Sequence, residues 1–352
     1  MKSTRHALAW AAMALVTACG GMPTSTGPQL DPGLDEPAAA WQTLRAPSMA
    51  TVFEVNLPTG ASATAGARAA FAVLDDVERR MNEWRPESEL GTVNRGAGGP
   101  PVAVSPELFD ILVKSRDLAD KTGGAFDPTW AALWGLWDFR LGATPAVPDP
   151  KAIARQVALV GWQRMHLDAA TRTVRLADKG MAIGLGGIAK GWALDRAAVA
   201  LRQHGVDNAL VSAGGQLLAL GKGPHGPWLA GLRDPRGESN DMWATLELLP
   251  GESLATSADY ERYFDIGGVR YHHVLDPRTG WPAKGTRAAV VVAASATIAD
   301  ALGKPLMILG KAGLPTVVAL GASEALVIDD SGHWHATDGM RKRLRVLRQP
   351  LP

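Results

Sequence analysis

Cysteine occurs once in these 352 residues, at Cys19, so no disulfide forms within one chain and no dithiol pair is available for redox work. Charge of one sign is also missing. Lys+Arg number 36 against 35 Asp+Glu, and no basic run interrupts that balance, which excludes a nucleic-acid surface. Past the first residues no apolar stretch approaches the ~18 residues of a membrane-spanning helix, so the body is expected to be soluble. There is no repeat at solenoid periods and no GxxxxGK[ST] phosphate loop.

The extreme N-terminus has what the rest lacks. Lys2 and Arg5 precede an apolar run from Ala7 to Val16 that ends in Val16-Thr17-Ala18-Cys19. Residues 1–18 have the layout of a secretory signal peptide, too short to cross a bilayer. The VTAC quartet resembles the lipobox of bacterial lipoproteins, which makes Cys19 the expected lipidation site and predicts a lipid anchor to the membrane. Residues 19–45, rich in Gly, Pro, Ser and Thr for most of their length, are expected to be a flexible tether. The folded body is expected over residues 46–345, long enough for one large or two fused subdomains.

Within that body, Phe71, Leu74, Val77 and Met81 recur at helical spacing and predict a helix over 65–81. Ser105-Pro106 starts a second helix, whose apolar face is Leu108, Ile111, Leu112, Leu118 and Ala119 and whose stop is Gly123. Asp127-Pro128 repeats that start signal and predicts a third, with Trp130, Trp134 and Trp137 along one face as core. Strands are expected at 51–57, 209–212 and 288–294. Long helices mixed with hairpins indicate an α+β body rather than strict βαβ alternation.

Three segments carry candidate chemistry. Tyr260 to Phe264 and Val269 to Leu275 alternate as strands around the turn Gly267-Gly268, which leaves His273 near a strand end. A histidine there can exchange protons near neutral pH. Residues 181–191 run from a short apolar strand into glycines and then a helix through Leu194, Ala198 and Leu201. Free amides at that helix start, with Lys190 in its first turn, suit an anion such as a pyrophosphate. Gly184, Gly186 and Ala189 fit a GxGxxA pattern, but the next strand runs into Ala213-Gly214-Gly215 with no acid to hold a ribose. In the third segment Ser295 caps a helix that brings Asp300 and Lys304 together at i and i+4, and Pro305 is expected to kink or end it. His333 and His335 form an isolated HxH, read as surface histidines rather than a zinc site.

Taken together, these motifs resemble the ApbE family of FAD:protein FMN transferases. The anchors, in order, are Met49-Ala-Thr51, Met81-Asn-Glu-Trp84 with Ser88-Glu-Leu90 and Asn94, Gly124-Ala-Phe-Asp127, and Gly186-Gly-Ile-Ala-Lys-Gly191. They continue with Ala213-Gly-Gly215, Ala255-Thr-Ser257 with Asp259-Tyr-Glu-Arg262, His273 within HVLDPRTG, and Asp300-Ala-Leu302. The resemblance implies a T-fold-like body of two subdomains with FAD in the cleft between them. It implies transfer of FMN from FAD to a Ser or Thr hydroxyl of an acceptor protein, with release of AMP. By motif position, Met49, Trp84, Ala125, Phe126, Asp127, Lys190 and Val274 line the FAD site, and His273 is the catalytic residue. Mg²⁺ is implied at Asp300, at the carbonyl of Gly187 and at position 304. The acceptors implied are FMN-binding domains of membrane-linked redox proteins, which agrees with a lipoprotein of the bacterial envelope facing the periplasm.

Two positions depart from the family pattern beside the implied metal: Gly184 stands where Asp is usual, and Lys304 where Thr is usual. An ammonium does not ligate Mg²⁺ and repels it, so Lys304 is expected to fold onto Asp300 and substitute for metal charge against the pyrophosphate. These changes keep two other readings open, a non-catalytic FAD-binding lipoprotein and an FAD pyrophosphatase.

Overall fold

Phe53, Val55 and Leu57 turn fully inward along Thr51–Pro58 while the residues between them stay half-buried, the two-residue period of a strand with one covered face. In the computed structural model, which describes residues 40–351, this strand is β2 and follows β1 (Trp41–Ser48). Then come α1 (Ala61–Met81), α2 (Glu89–Arg95), β3 (Val102–Ala103), α3 (Pro106–Lys121), α4 (Pro150–Val157), β4 (Met165–Asp168), β5 (Thr173–Leu176) and α5 (Ala189–Gln203). A run of strands follows: β6 (Ala209–Ala213), β7 (Gln216–Leu220), β8 (Trp228–Arg233), β9 (Met242–Leu248), β10 (Ser253–Ala258), β11 (Tyr263–Ile266) and β12 (Val269–His272). The chain closes with β13 (Thr286–Ala293), α6 (Ala296–Leu309), α7 (Leu314–Ala319), β14 (Glu324–Asp329), β15 (Trp334–Ala336), α8 (Asp338–Arg343) and β16 (Leu344–Val346).

Eight strands form one antiparallel sheet in the order β1-β2-β6-β7-β10-β13-β14-β15. Strand β13 is buried along its whole length because both faces are covered. Ala289, Val291 and Ala293 pack into the core shared with α1, α5 and α6, while Ala288, Val290 and Val292 pack into a second core with β8 and β9. The three-stranded sheet β16-β9-β8 supplies that second layer. The architecture is α+β, as expected from the sequence.

Helices α5 and α6 are locked at their N-terminal ends. A Cβ at Gly191 would collide with the Ala296 carbonyl and reach 2.8 Å from Thr297 Cα, so only glycine allows this approach. Asp195 on α5 then caps α6 from outside, accepting the Ala296 and Thr297 N–H groups at 2.7 and 3.0 Å and the Ser295 and Thr297 hydroxyls at 2.7 and 2.6 Å. Asp195→Ala is expected to cost about 2 kcal/mol in urea unfolding, with Asp195→Asn recovering part of it. Equal stability of all three proteins would show the cap to be dispensable.

Several expectations are corrected. Trp41–Arg45, assigned to the tether, pair with Glu54–Pro58 on β2 as part of the edge strand, and the fold runs past residue 345 to Leu351, whose N–H donates to Asp234. The first helix begins at Ala61 rather than 65. Asp127-Pro128 does not start a helix: Asp127 Oδ1 accepts the Thr129 N–H and hydroxyl, both at 2.7 Å, in a local turn. Only Ala131–Leu133 coil briefly, and Trp130 instead bridges Ala182, which is the sole trace of the strand expected at 181–183. Pro305 sits inside α6, which continues to Leu309; burial of ten of its residues outweighs the ~3 kcal/mol a mid-helix proline costs. The hairpin is shorter than its alternation suggests, so His273 lies just beyond β12. Cys19, the signal peptide and most of the tether lie outside the described residues.

Candidate active site

The loop that leads into α5 is held from four directions. Asn94 acts as a substitute strand, its side chain donating to the Ile183 carbonyl at 2.9 Å and accepting the Ile183 N–H at 2.7 Å. Gly184 N–H donates to the Pro128 carbonyl at 2.8 Å, and Trp130 Nε1 donates to the Gly184 carbonyl at 3.0 Å. Glu83 accepts the Leu185 N–H at 2.8 Å. This fixes Gly186 to Gly191, and Lys190 donates back to the Gly186 carbonyl at 3.2 Å.

Glu83, whose position the sequence marked only as part of a motif, is an acid whose pKa is strongly raised here. Desolvation pushes its carboxyl up to about 7, against the pull of the Leu185 and Gly186 N–H groups and of Lys190. The folded protein therefore keeps a proton that the unfolded chain releases near pH 4.5. The associated stability is complete below that pH and is lost as pH rises through about 7. Glu83→Gln is expected to flatten this decline, which amounts to up to about 3 kcal/mol, in urea unfolding across the interval. Parallel curves for the two proteins would refute it.

Asp300, 2 % exposed, faces the same loop from α6. Its Oδ2 accepts the Gly191 N–H at 3.0 Å, the Lys304 ammonium bonds Oδ1 and also the Asp300 carbonyl at 2.9 Å, and Lys190 Nζ stands 4.0 Å from Oδ1. Burial works to raise this carboxyl, but the two ammoniums and the N–H outweigh it and hold it below the usual range. Lys304 lies along the backbone of Gly187, with Cε and Cδ 3.6 and 3.8 Å from where a Cβ would stand. At Gly184 a Cβ would come within 2.9 Å of Trp130 Nε1 and 3.1 Å of Ala131 Cβ. The implied Mg²⁺ does not fit these residues: an ammonium occupies the cation position beside Asp300, and an indole fills the space beside position 184.

His273 follows the hairpin, which is fastened to Trp137. That indole donates to the Gly280 carbonyl at 2.9 Å and packs against Phe264, Tyr271 and Trp281 at ring-centre distances of 6.4, 5.6 and 5.5 Å. The preceding His272 is buried with both ring nitrogens engaged, Nε2 on the Ala283 carbonyl at 2.8 Å and Nδ1 accepting the Val274 N–H at 3.3 Å. It positions its neighbour. The His273 side chain itself is reached by solvent, and among the described residues its ring has no hydrogen-bond partner. Protein atoms crowd it nonetheless. Desolvation, followed by the charges of His272, Arg262 and Lys304, pushes its pKa down to about 4; access of water tempers the size of that shift, and the direction leaves a neutral imidazole at pH 7.

The other expected FAD residues occupy varied settings. Met49 and Ala50 form the β1–β2 turn with φ of 50° and 57°, a left-handed conformation that is costly for both. Glu78 holds the turn, accepting the Met49 N–H at 2.9 Å and the Ser48 hydroxyl at 2.8 Å. Position Gly214 lies against this end of β2, where a Cβ would stand 3.2 Å from Thr51 Oγ1. Trp84 is 68 % exposed and stacks on Trp134 at 4.3 Å. Ala125, Phe126, Asp127 and Val274 are buried, and Phe126 Cε2 lies 3.5 Å from the Cβ position of Gly187. Burial raises the Asp127 carboxyl against its bonds to Thr129. His335 on β15 pairs with Asp329 at 2.9 Å, and the HxH stays a local contact.

The sequence pattern of the ApbE family matches residues 49–327. An FAD:protein FMN transferase of Treponema pallidum is 35 % identical over 293 residues, 79 % of this chain and 80 % of the relative. The ApbE protein of Thermotoga maritima superposes with a TM-score of 0.79 at 30 % identity, covering 86 % of this chain and 99 % of that one. The flavin transferase ApbE of Vibrio cholerae superposes at 0.77 and 26 % identity, covering 87 % and 99 %. The chain belongs to the ApbE family.

Proposed function

We propose that this protein is an FAD:protein FMN transferase that uses His273 as its general base. The observation that carries the reading is an accessible, neutral imidazole that feels the charge of Lys304, beside a fixed loop and helix start bearing Lys190. FAD is the substrate, with Met49, Trp84, Lys190 and the buried Ala125–Asp127 and Val274 segments forming its site. The acceptor hydroxyl oxygen bonds to the flavin-side phosphorus as His273 takes its proton. The bond from that phosphorus to the bridging oxygen breaks, and AMP departs with the bridging oxygen. Lys190 supplies positive charge against the diphosphate as it does so. No step is routed through Mg²⁺, which the donor set beside Asp300 does not accommodate.

The test is intact mass of an FMN-binding acceptor domain after incubation with the protein and FAD. A gain equal to FMN less water, with AMP released in equal amount, is expected. FMN and AMP produced without an acceptor would instead identify a pyrophosphatase. The substitutions at Gly184 and Lys304 favour a second reading, a non-catalytic FAD store, whose signature is bound FAD with no turnover.

The setting proposed is the bacterial envelope, with residues 1–18 removed, Cys19 lipidated, and the transferase body facing the periplasm toward membrane-linked redox proteins. Cys19→Ser is expected to move the protein from the membrane to the soluble fraction. Unchanged membrane recovery would remove the anchor from this proposal.

A further inference from the structure

We propose that Lys304 and Lys190 together take the place of a divalent cation at the FAD diphosphate, so that this site binds and uses FAD without a metal. The inference rests on the FAD reading given above. Lys304 reaches back one turn along α6 and is bonded to both the carboxylate and the carbonyl of Asp300. An ammonium has three donors, so this leaves one on Lys304 and two on Lys190, which spends one on the Gly186 carbonyl. Both lysine side chains keep contact with solvent, 26 % and 27 % exposed, above a carboxylate that is 3 % exposed. The pair thus lies between a buried anion and the outside, where an incoming anion meets it.

A second, independent observation points the same way. Gly184 offers no oxygen side chain, and the Trp130 indole, bonded to the Gly184 carbonyl, fills the volume such a side chain needs. Positions 120 residues apart therefore act in one sense, Gly184 offering no donor beside a filled gap and Lys304 bringing an ammonium onto Asp300. At the start of α5 the Ala189, Gly191 and Trp192 N–H groups are already taken by the Leu185 carbonyl, Asp300 and the Ile188 carbonyl, so the lysines and not a free helix end meet the incoming anion. Asp300 holds the Lys304 ammonium in register with Gly191, where α5 and α6 touch.

The experiment measures FAD affinity by calorimetry in EDTA and again in excess Mg²⁺, titrates Mg²⁺ alone into the protein, and follows acceptor mass under both conditions. FAD affinity and transfer rate are expected to agree within about twofold between conditions, with no stoichiometric uptake of Mg²⁺. Lys304→Met is expected to weaken FAD binding in EDTA by about tenfold, and Lys304→Arg to restore most of it. Stoichiometric Mg²⁺ uptake, tenfold tighter FAD binding with Mg²⁺, or transfer that stops in EDTA and returns with Mg²⁺ would overturn the proposal while leaving the transferase reading intact. Transfer absent in both conditions sinks the transferase reading alone, because the FAD affinities still decide the role of the lysines. FAD that fails to bind in either condition overturns both. If Lys304→Met does not fold, the comparison on the unaltered protein decides by itself.

Discussion

His273→Ala is expected to abolish the acceptor's mass gain while the purified protein stays yellow with bound FAD. Loss of a positioned base lowers the rate by about 10²–10⁴-fold, and the ring's own surroundings explain why it is suited to the task. Its pKa is depressed below the ordinary histidine value by desolvation, so the imidazole is unprotonated and competent at neutral pH. The acid limb of kcat/KM is accordingly expected well below pH 6.5, and it disappears in the variant. Since His272 carries the hydrogen bonds that hold this segment, removing the His273 ring leaves the local backbone intact. A variant that flavinylates at the normal rate, or a limb at 6.5 or above in the unaltered protein, would end this assignment.

Asp300→Ala is the second large effect, and it falls on the fold. The carboxylate is the single acid between two ammoniums and also accepts the N–H at the α5–α6 contact. Its loss leaves like charges facing each other without a counter-ion. A loss of about 3 kcal/mol is expected, the low end for a broken buried pair because both ammoniums retain some solvent. Asp300→Asn with Lys304→Met removes one charge of each sign and is expected to recover more than half of that. Non-additivity in the double-mutant cycle is the readout. A single variant within ~1 kcal/mol of the parent would show that the cluster is fully hydrated.

What could be read in the chain follows from how far apart the interacting residues are. The strand at 51–57 and the Ser295 cap of α6 are local patterns, and both appear as expected. Lys304 on Asp300 is also local, one helical turn, which is why its fold-back is foreseeable from spacing. Asp127-Pro128 carries the same local signal as a true helix start, yet Thr129 satisfies the aspartate within two residues and Trp130 is drawn to the loop at 182–184. Nothing in the dipeptide distinguishes these outcomes. Glu83 on Leu185, Asn94 on Ile183 and Asp195 on the start of α6 span some ninety to a hundred residues. Such partners become visible once the sheet has brought α1, α5 and α6 together.

Strand β1 has a mechanical meaning under the anchoring proposed at Cys19. The chain enters the fold at Trp41 and reaches the Met49–Ala50 turn eight residues later, roughly 26 Å away at the rise of an antiparallel strand. Because all eight residues are zipped to β2, that strand behaves as a stiff bracket rather than as extra leash. The Met49–Ala50 turn, proposed above to face the flavin, is thereby held at the far end of this bracket from the proposed anchor.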